Sequence, residues 1–235
     1  MSDPYIYPIA EIFTSIQGEG FHVGLPMTFI RFAGCNVGTP LEKNHPLFGR
    51  YTRCRPAAGS GSFICDTNYS RASTYCPEKL LEEVQLHPPK VVCLTGGEPC
   101  LHSLDPLVEL LKENNYRVFL ETSGTRPIHT SFLDWVTCSP KGYFLPENIG
   151  LPDEFKFLVG EGTTAEAIES WMRDSLQFED DPYCDLPHSC PFIYLQPIND
   201  LHSIDQENVQ RCLEIQRKHP NWLLSVQLHK VIGVR

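Results

Sequence analysis

Val91-Val92-Cys93-Leu94-Thr95-Gly96-Gly97 is the stretch on which the fold turns. Its apolar run at 91–94 reads as a compact buried strand, and the two glycines end it. Residues 103–115 follow as a helix, with Leu107, Leu110 and Leu111 on one face. A second short strand returns at 117–121. Strand, helix and strand within about thirty residues predict parallel pairing, since parallel neighbours need a crossover of that length.

The same alternation extends outward from this unit. Residues 27–33 read as a strand, and 77–86 as a helix with Pro77 at its first position. Strands are expected at 135–138, 154–159 and 192–196. Helices are expected at 163–176, opened by a capping box of Thr163 with Glu166, and at 203–219, with Ser203 and Gln206 as a second possible box. A last strand is expected at 222–228. The class is therefore α/β, a mainly parallel sheet with helices outside. Ligands of such sheets sit beyond the carboxyl ends of the strands.

Two segments break the pattern. Residues 34–77 hold Cys35, Cys54, Cys65 and Cys76 with several Gly and Pro and little apolar periodicity. A structureless loop of that length needs a reason, and a bound metal cluster supplies one by contributing folding energy. Residues 178–191 are acidic, contain Cys184 and Cys190, and read as a surface insertion.

The 235 residues fit a single domain, 1–235. A formal net charge of −10 argues against a nucleic-acid partner, which wants a basic face. The N-terminus has neither a basic nor an apolar signal region, and no run is long enough to cross a membrane. A reducing cytoplasm is expected, where ten cysteines form no disulfide scaffold. Cys93, Cys138 and Cys212 lie on apolar faces and read as buried core. The cysteines of the 34–77 segment are the candidates for metal.

Eighteen residues separate Cys35 from Cys54 and ten separate Cys54 from Cys65. No Cys-x-x-Cys pair occurs, which removes the usual zinc patterns. Taken without their neighbours, Thr95-Gly96-Gly97-Glu98-Pro99 is a turn and Gln17-Gly18-Glu19 a solvated loop. Thr67 is then a turn former and His229 a strand-end histidine. Arg31, inside the apolar strand 29–33, faces outward or is paired, because an unpaired buried cation is very costly.

The flanks give these fragments an order. Ile16-Gln17-Gly18-Glu19-Gly20, Phe29-Ile30-Arg31-Phe32-Ala33-Gly34-Cys35-Asn36, Cys65-Asp66-Thr67 and Leu94-Thr95-Gly96-Gly97-Glu98-Pro99 come first. Glu121-Thr122-Ser123-Gly124, Ser139-Pro140-Lys141, Gln196-Pro197 and Ser225-Val226-Gln227-Leu228-His229-Lys230 follow. This ordered set, spanning nearly the whole chain, resembles the 7-carboxy-7-deazaguanine synthases, radical S-adenosylmethionine (SAM) enzymes of queuosine and deazapurine pathways. The sequence departs from them at one place. Three residues before Cys65 stands Ser62, where the family has a cysteine. Cys54 is the only cysteine between Cys35 and Cys65, so it is the expected middle ligand, with Cys76 as its rival.

The resemblance implies a single-domain, incomplete and modified radical SAM (β/α) barrel. It implies a [4Fe–4S] cluster on Cys35, Cys54 and Cys65, with one iron left for SAM. Gly96, Gly97, Glu98, Glu121, Ser123, Ser139, Lys141 and Gln196 become candidate SAM contacts. Gln17, Glu19, Arg31, His229 and the terminal Arg235 become candidate contacts to a pterin carboxylate substrate. Thr67 becomes a ligand of Mg²⁺. The implied reaction turns 6-carboxy-5,6,7,8-tetrahydropterin into 7-carboxy-7-deazaguanine with loss of ammonia. The implied partners are an electron donor such as flavodoxin or ferredoxin and a second copy in a homodimer. Two other functions remain open on the residues themselves: another radical SAM activity, such as glycyl-radical activation, and a metal-stabilised binding module without catalysis.

Overall fold

The computed structural model describes residues 5–68, 72–130, 132–176 and 191–234. The insertion expected at 178–191 lies outside these residues, apart from Pro191, as does Arg235. In chain order the elements begin with β1 (Tyr7–Ile16), β2 (Pro26–Phe32), β3 (Thr39–Pro40), β4 (Thr52–Cys54), β5 (Phe63–Ile64) and β6 (Ser73–Tyr75). Next come α1 (Pro77–Gln85), β7 (Val91–Gly96), α2 (Asp105–Glu113), β8 (Arg117–Thr122), β9 (Trp135–Cys138) and β10 (Glu154–Val159). The chain closes through α3 (Ala165–Leu176), β11 (Phe192–Pro197), α4 (Gln206–Lys218), β12 (Leu223–Leu224) and α5 (Leu228–Ile232).

One sheet runs in the order β12-β11-β10-β9-β8-β7-β2-β1-β6. It is parallel from β2 to β12, while β1 pairs antiparallel with both β2 and β6. Register puts Ile30 beside Leu94, Leu94 beside Leu120, and Leu120 beside Val136. These face Leu80 and Val84 of α1 and Leu107, Val108 and Leu111 of α2 in one buried cluster. On the same face, Phe155, Phe157 and Leu195 pack under Ile168, Trp171 and Met172 of α3 and Cys212 and Ile215 of α4. Helices α1 to α4 thus cover one face of the sheet, as the alternation predicts. Side chains alternate along a strand, so the other face receives Arg31, Thr95, Glu121, Thr137, Glu154, Lys156 and Gln196. These are polar groups from six adjacent strands, set on a floor of Met27, Phe29, Cys93 and Phe119.

Several expectations need correction. The loop 34–77 is not structureless: β3, β4 and β5 form a small antiparallel sheet of their own, and β6 joins the main sheet. Strands of two or three residues carry no periodicity to read. Residues 222–228 form only the two-residue β12. Ser225 N still donates to Leu195 O at 2.9 Å, then the chain leaves the sheet and turns into α5, so His229 is helical. The helix caps also differ. Asp205, not Ser203, caps α4 by accepting from Asn208 N at 3.0 Å. Thr164 Oγ1 accepts from Ala167 N at 3.2 Å in the first turn of α3, while Thr163 Oγ1 accepts from Gly160 N instead. Strand β1, with its mixed surface, escaped the apolar pattern altogether.

Candidate functional site

The polar face of the sheet opens into a pocket. Gln17, Gly18, Glu19, Arg31, Asp66, Thr67, Thr95, Glu121, Gln227 and His229 line it, with Phe13, Ile16 and Phe29 as its apolar wall. The Phe13 and Phe29 rings stack 5.2 Å apart, and the Arg31 guanidinium lies over Phe13 at 5.4 Å. Arg31 is paired, as its place in the strand requires. Its Nε stands 3.3 Å from Glu11, and Nη1 donates to Thr67 Oγ1 at 3.3 Å. A guanidinium has five donors, so two such contacts leave donors for a ligand carboxylate.

A carboxylate network forms the pocket's acceptor side. Glu121 accepts from Gln17 Nε2 at 3.1 Å and from Thr95 Oγ1 at 2.8 Å. Glu19 accepts from Gln227 Nε2 at 2.8 Å and pairs with the Lys156 ammonium. Burial alone would push the Glu19 carboxyl up. Lys156 and the Gln227 amide outweigh it and hold the group at about 2. Its pairing therefore stabilises the fold above the ordinary carboxylate range and is lost as pH falls toward that value. Glu121, expected among the SAM contacts, lines the same pocket as Gln17, Glu19 and Arg31.

The C-terminal segment closes the pocket. Leu228 N donates to Gly18 O at 2.9 Å, and Lys230 pairs with Asp66 at 2.8 Å. A methyl group on Gly18 would meet His229 Nδ1 at 2.2 Å, so glycine is what lets the imidazole lie against this loop.

Gly96, Gly97, Glu98 and Ser123 come together where the turn after β7 meets the end of β8. Gly97 is wedged against Gly34: a methyl group there would sit 1.7 Å from Gly34 O and 3.3 Å from Cys35 Cβ. Glu98 is fully buried, and donors close both of its oxygens. Thr122 Oγ1 at 2.7 Å, Cys100 N at 3.2 Å, Ser123 N at 2.9 Å and Ser123 Oγ supply them. Its carboxylate fastens this turn to the end of β8. Lys141 donates to Ser139 O at 2.9 Å, and burial lowers its ammonium pKa against the opposing pull of the Cys54 and Cys65 thiols. Gln196 is buried and accepts from Ser225 Oγ at 3.3 Å.

The eight described cysteines are free thiols. Cys93, Cys138 and Cys212 are fully buried, as expected. Cys54 lies in β4 with its thiol in contact with that of Cys65, and the Cys35 thiol adds to the charge it feels. The Cys65 contact and burial push the Cys54 thiol up, while the same contact brings Cys65 down to about 7. Cys76 instead precedes α1, next to edge strand β6. Among the described residues no three His, Cys, Asp or Glu side chains stand together at metal-binding distance. The donor set nevertheless suits iron and sulfide: soft thiols, two in contact, beside a glycine turn and a buried lysine.

Sequence reading missed Thr95, Glu154, Lys156 and Gln227. One signal was present. Glu154 and Lys156 alternate with Phe155 and Phe157 in a strand buried on both faces, where charge demands a partner.

No family model matches this chain. Among curated proteins it is similar to the 7-carboxy-7-deazaguanine synthase of Bacteroides thetaiotaomicron, 36% identical over 97% of this chain and 98% of that protein. It is also similar to the synthase of the same name from Escherichia coli, 32% identical over 97% and 99%. Among solved structures it resembles QueE from Escherichia coli, with a TM-score of 0.69 and 30% identity over 95% of both chains. Likeness of that extent, end to end and in both sequence and fold, places the chain in the 7-carboxy-7-deazaguanine synthase family of enzymes.

Proposed function

We propose that this enzyme is a radical SAM lyase that converts 6-carboxy-5,6,7,8-tetrahydropterin to 7-carboxy-7-deazaguanine with loss of ammonia. The observation that carries the reading is the pocket in which a cation, Arg31, and two acceptor carboxylates, Glu19 and Glu121, stand beside an apolar wall of Phe13 and Phe29. A flat heterocycle with a carboxylate and an N–H edge matches those three features. The incomplete radical SAM barrel is the natural description of the parallel sheet, with residues 1–235 as one domain and 34–77 as its cluster loop.

Cys35, Cys54 and Cys65 would hold the [4Fe–4S] cluster, which with SAM supplies the electron and the hydrogen abstraction. Gly96, Gly97, Ser139, Lys141 and Gln196 would flank SAM, with Glu98 and Ser123 fixing the turn beneath it. Arg31 anchors the substrate carboxylate. Thr67 Oγ1, beside that guanidinium, offers a neutral oxygen to Mg²⁺, which suits a hard ion keeping most of its water. Gln17, Glu19 and Glu121 accept from the pterin edge, and a site built on such pairs rejects analogues that leave them unpaired. His229 closes the pocket. A cytoplasmic setting, an electron donor such as flavodoxin or ferredoxin and a homodimer belong to the same reading. No described helix is long and apolar enough to cross a membrane.

Anaerobic reconstitution with SAM, a reductant and the pterin, followed by mass spectrometry, tests the reaction. Wild type is expected to yield the deazaguanine. Arg31→Ala and His229→Ala are expected to keep reductive SAM cleavage while losing about tenfold or more in pterin affinity, roughly 1.4 kcal/mol. Loss of SAM binding in both variants would refute this division of the site.

Gly18→Ala extends the test without touching a polar group. Its methyl group must expel the His229 ring. The expected result is a pterin affinity as weak as that of His229→Ala, and no further loss when the two changes are combined, because neighbouring changes that remove one interaction do not add. Additive losses would show that Gly18 acts elsewhere.

A further inference from the structure

β10 is buried along its whole length, yet it carries Lys156 on the pocket face. The residue is 4% exposed. Its ammonium pairs with Glu19 and lies 3.6 Å from Glu121 Oε1. Two carboxylates aimed into one pocket repel each other, and the usual outcomes are separation or protonation of one of them. An ammonium held between them removes both outcomes. Burying a cation is costly unless it is paired, and here it has more than one partner.

We propose that Lys156 is the positioning residue of this site: its ammonium gathers the Glu19 and Glu121 carboxylates onto one stretch of wall, so that they meet a heterocycle's N–H edge together. The proposal rests on the pterin reading for its ligand, and on Lys156 alone for its geometry.

Every charged neighbour fits this arrangement. Glu154, two residues along β10, also bears on Lys156. Its own oxygens, however, accept from Phe21 N at 2.8 Å and Thr137 Oγ1 at 2.8 Å, and burial raises its pKa. Glu154 therefore pins the 17–21 loop while Lys156 pins the side chain of Glu19 within it. His229 and Gln227 face Glu19 from the C-terminal segment, and His22 shares the small space below with Glu19, Glu121 and Glu154. Lys141 is the other ammonium that feels Lys156. Of these cations, Lys156 is the one paired with both pocket carboxylates.

The test uses anaerobically reconstituted enzyme carrying ¹³C-labelled glutamate, with the Glu19 signal assigned by Glu19→Gln. Wild type should show no Glu19 titration from about pH 4 to 8, and a pterin affinity that is flat from about pH 6 to 8. In Lys156→Met, Glu19 should titrate inside that window. Pterin affinity should fall about tenfold or more, and fall further as pH drops, because protonation removes an acceptor. Lys156→Arg should restore the flat profile. A loss of pterin and SAM affinity that is equal at every pH, with Glu19 unmoved, would overturn the proposal and leave Lys156 a purely structural residue. Should Lys156→Met not fold, the wild-type titration decides: a Glu19 carboxyl titrating at or above about pH 4.5 overturns the proposal. If no protein binds the pterin but Glu19 shifts in Lys156→Met, the positioning role stands and the substrate reading falls.

Discussion

Cys54→Ala is expected to abolish the iron–sulfur absorption of the anaerobically reconstituted protein, taking iron from about four per chain to near none, while Cys76→Ala keeps both. Cluster ligation takes three thiols that can face one another. Cys54 is buried and touches the Cys65 thiol, and the Cys35 thiol is near enough to bear on it. Cys35 is in turn set against the Gly97 turn. Cys76 lies at the start of α1, and it is the Cys65 and Cys35 thiols that act on Cys54. The small sheet β3-β4-β5 explains how a distant cysteine can serve: pairing of Arg53 with Ile64 and Cys54 with Phe63 sets Cys54 alongside the segment that ends in Cys65. Retention of the cluster in Cys54→Ala together with its loss in Cys76→Ala would reverse the assignment.

Gly97→Ala is the second change expected to have a large effect. The new methyl group would fall 1.7 Å from Gly34 O and 2.5 Å from Gly34 C, both backbone atoms. Relief requires the β7 turn to lift off the end of β2. That movement breaks the hydrogen bonds from Gly97 N to Phe32 O at 3.0 Å and from Glu98 N to Gly34 O at 2.9 Å, and shifts Cys35. The expected destabilisation is about 3 kcal/mol or more by denaturant unfolding, with SAM affinity and cluster loading lost together. Gly142→Ala is the matched control. It has φ of +92° and nothing within 4 Å of the new methyl group, so it should cost only the backbone strain of about 1–2 kcal/mol. A Gly97→Ala protein as stable as wild type, with normal SAM affinity, would remove the close approach from the argument.

Family membership sets aside the non-catalytic module and the glycyl-radical activator that the residues alone left open. The polar face of the sheet shows why those alternatives persisted. A glycine turn, a loop with Gln17 and Glu19, and an arginine in a strand each have ordinary structural uses. The loop and the arginine take their meaning from lining one pocket, and the glycine turn takes its own from a close approach to Gly34 beside Cys35.

The sequence by itself determined the parallel α/β class, the strands on either side of α2, the helix starting at Pro77, the strand–turn at Leu94-Thr95-Gly96-Gly97 and the burial of Cys93, Cys138 and Cys212. These depend on alternation, apolar runs and glycine or proline geometry, which act over a few residues and so are written locally. Only the tertiary structure decided which polar residues meet. Gln227 reaches Glu19 across 208 positions, Lys156 across 137, and Glu121 binds Gln17 across 104. It likewise decided that residues after 224 leave the sheet for α5, since the bond between Ser225 N and Leu195 O and the contact of Leu228 N with Gly18 O both come from distant segments. The reason is physical. A strand's own residues fix which face each side chain takes, but a site is assembled from the ends of many strands. Which ends adjoin is set by the order of strands in the sheet, which joins segments far apart in the chain.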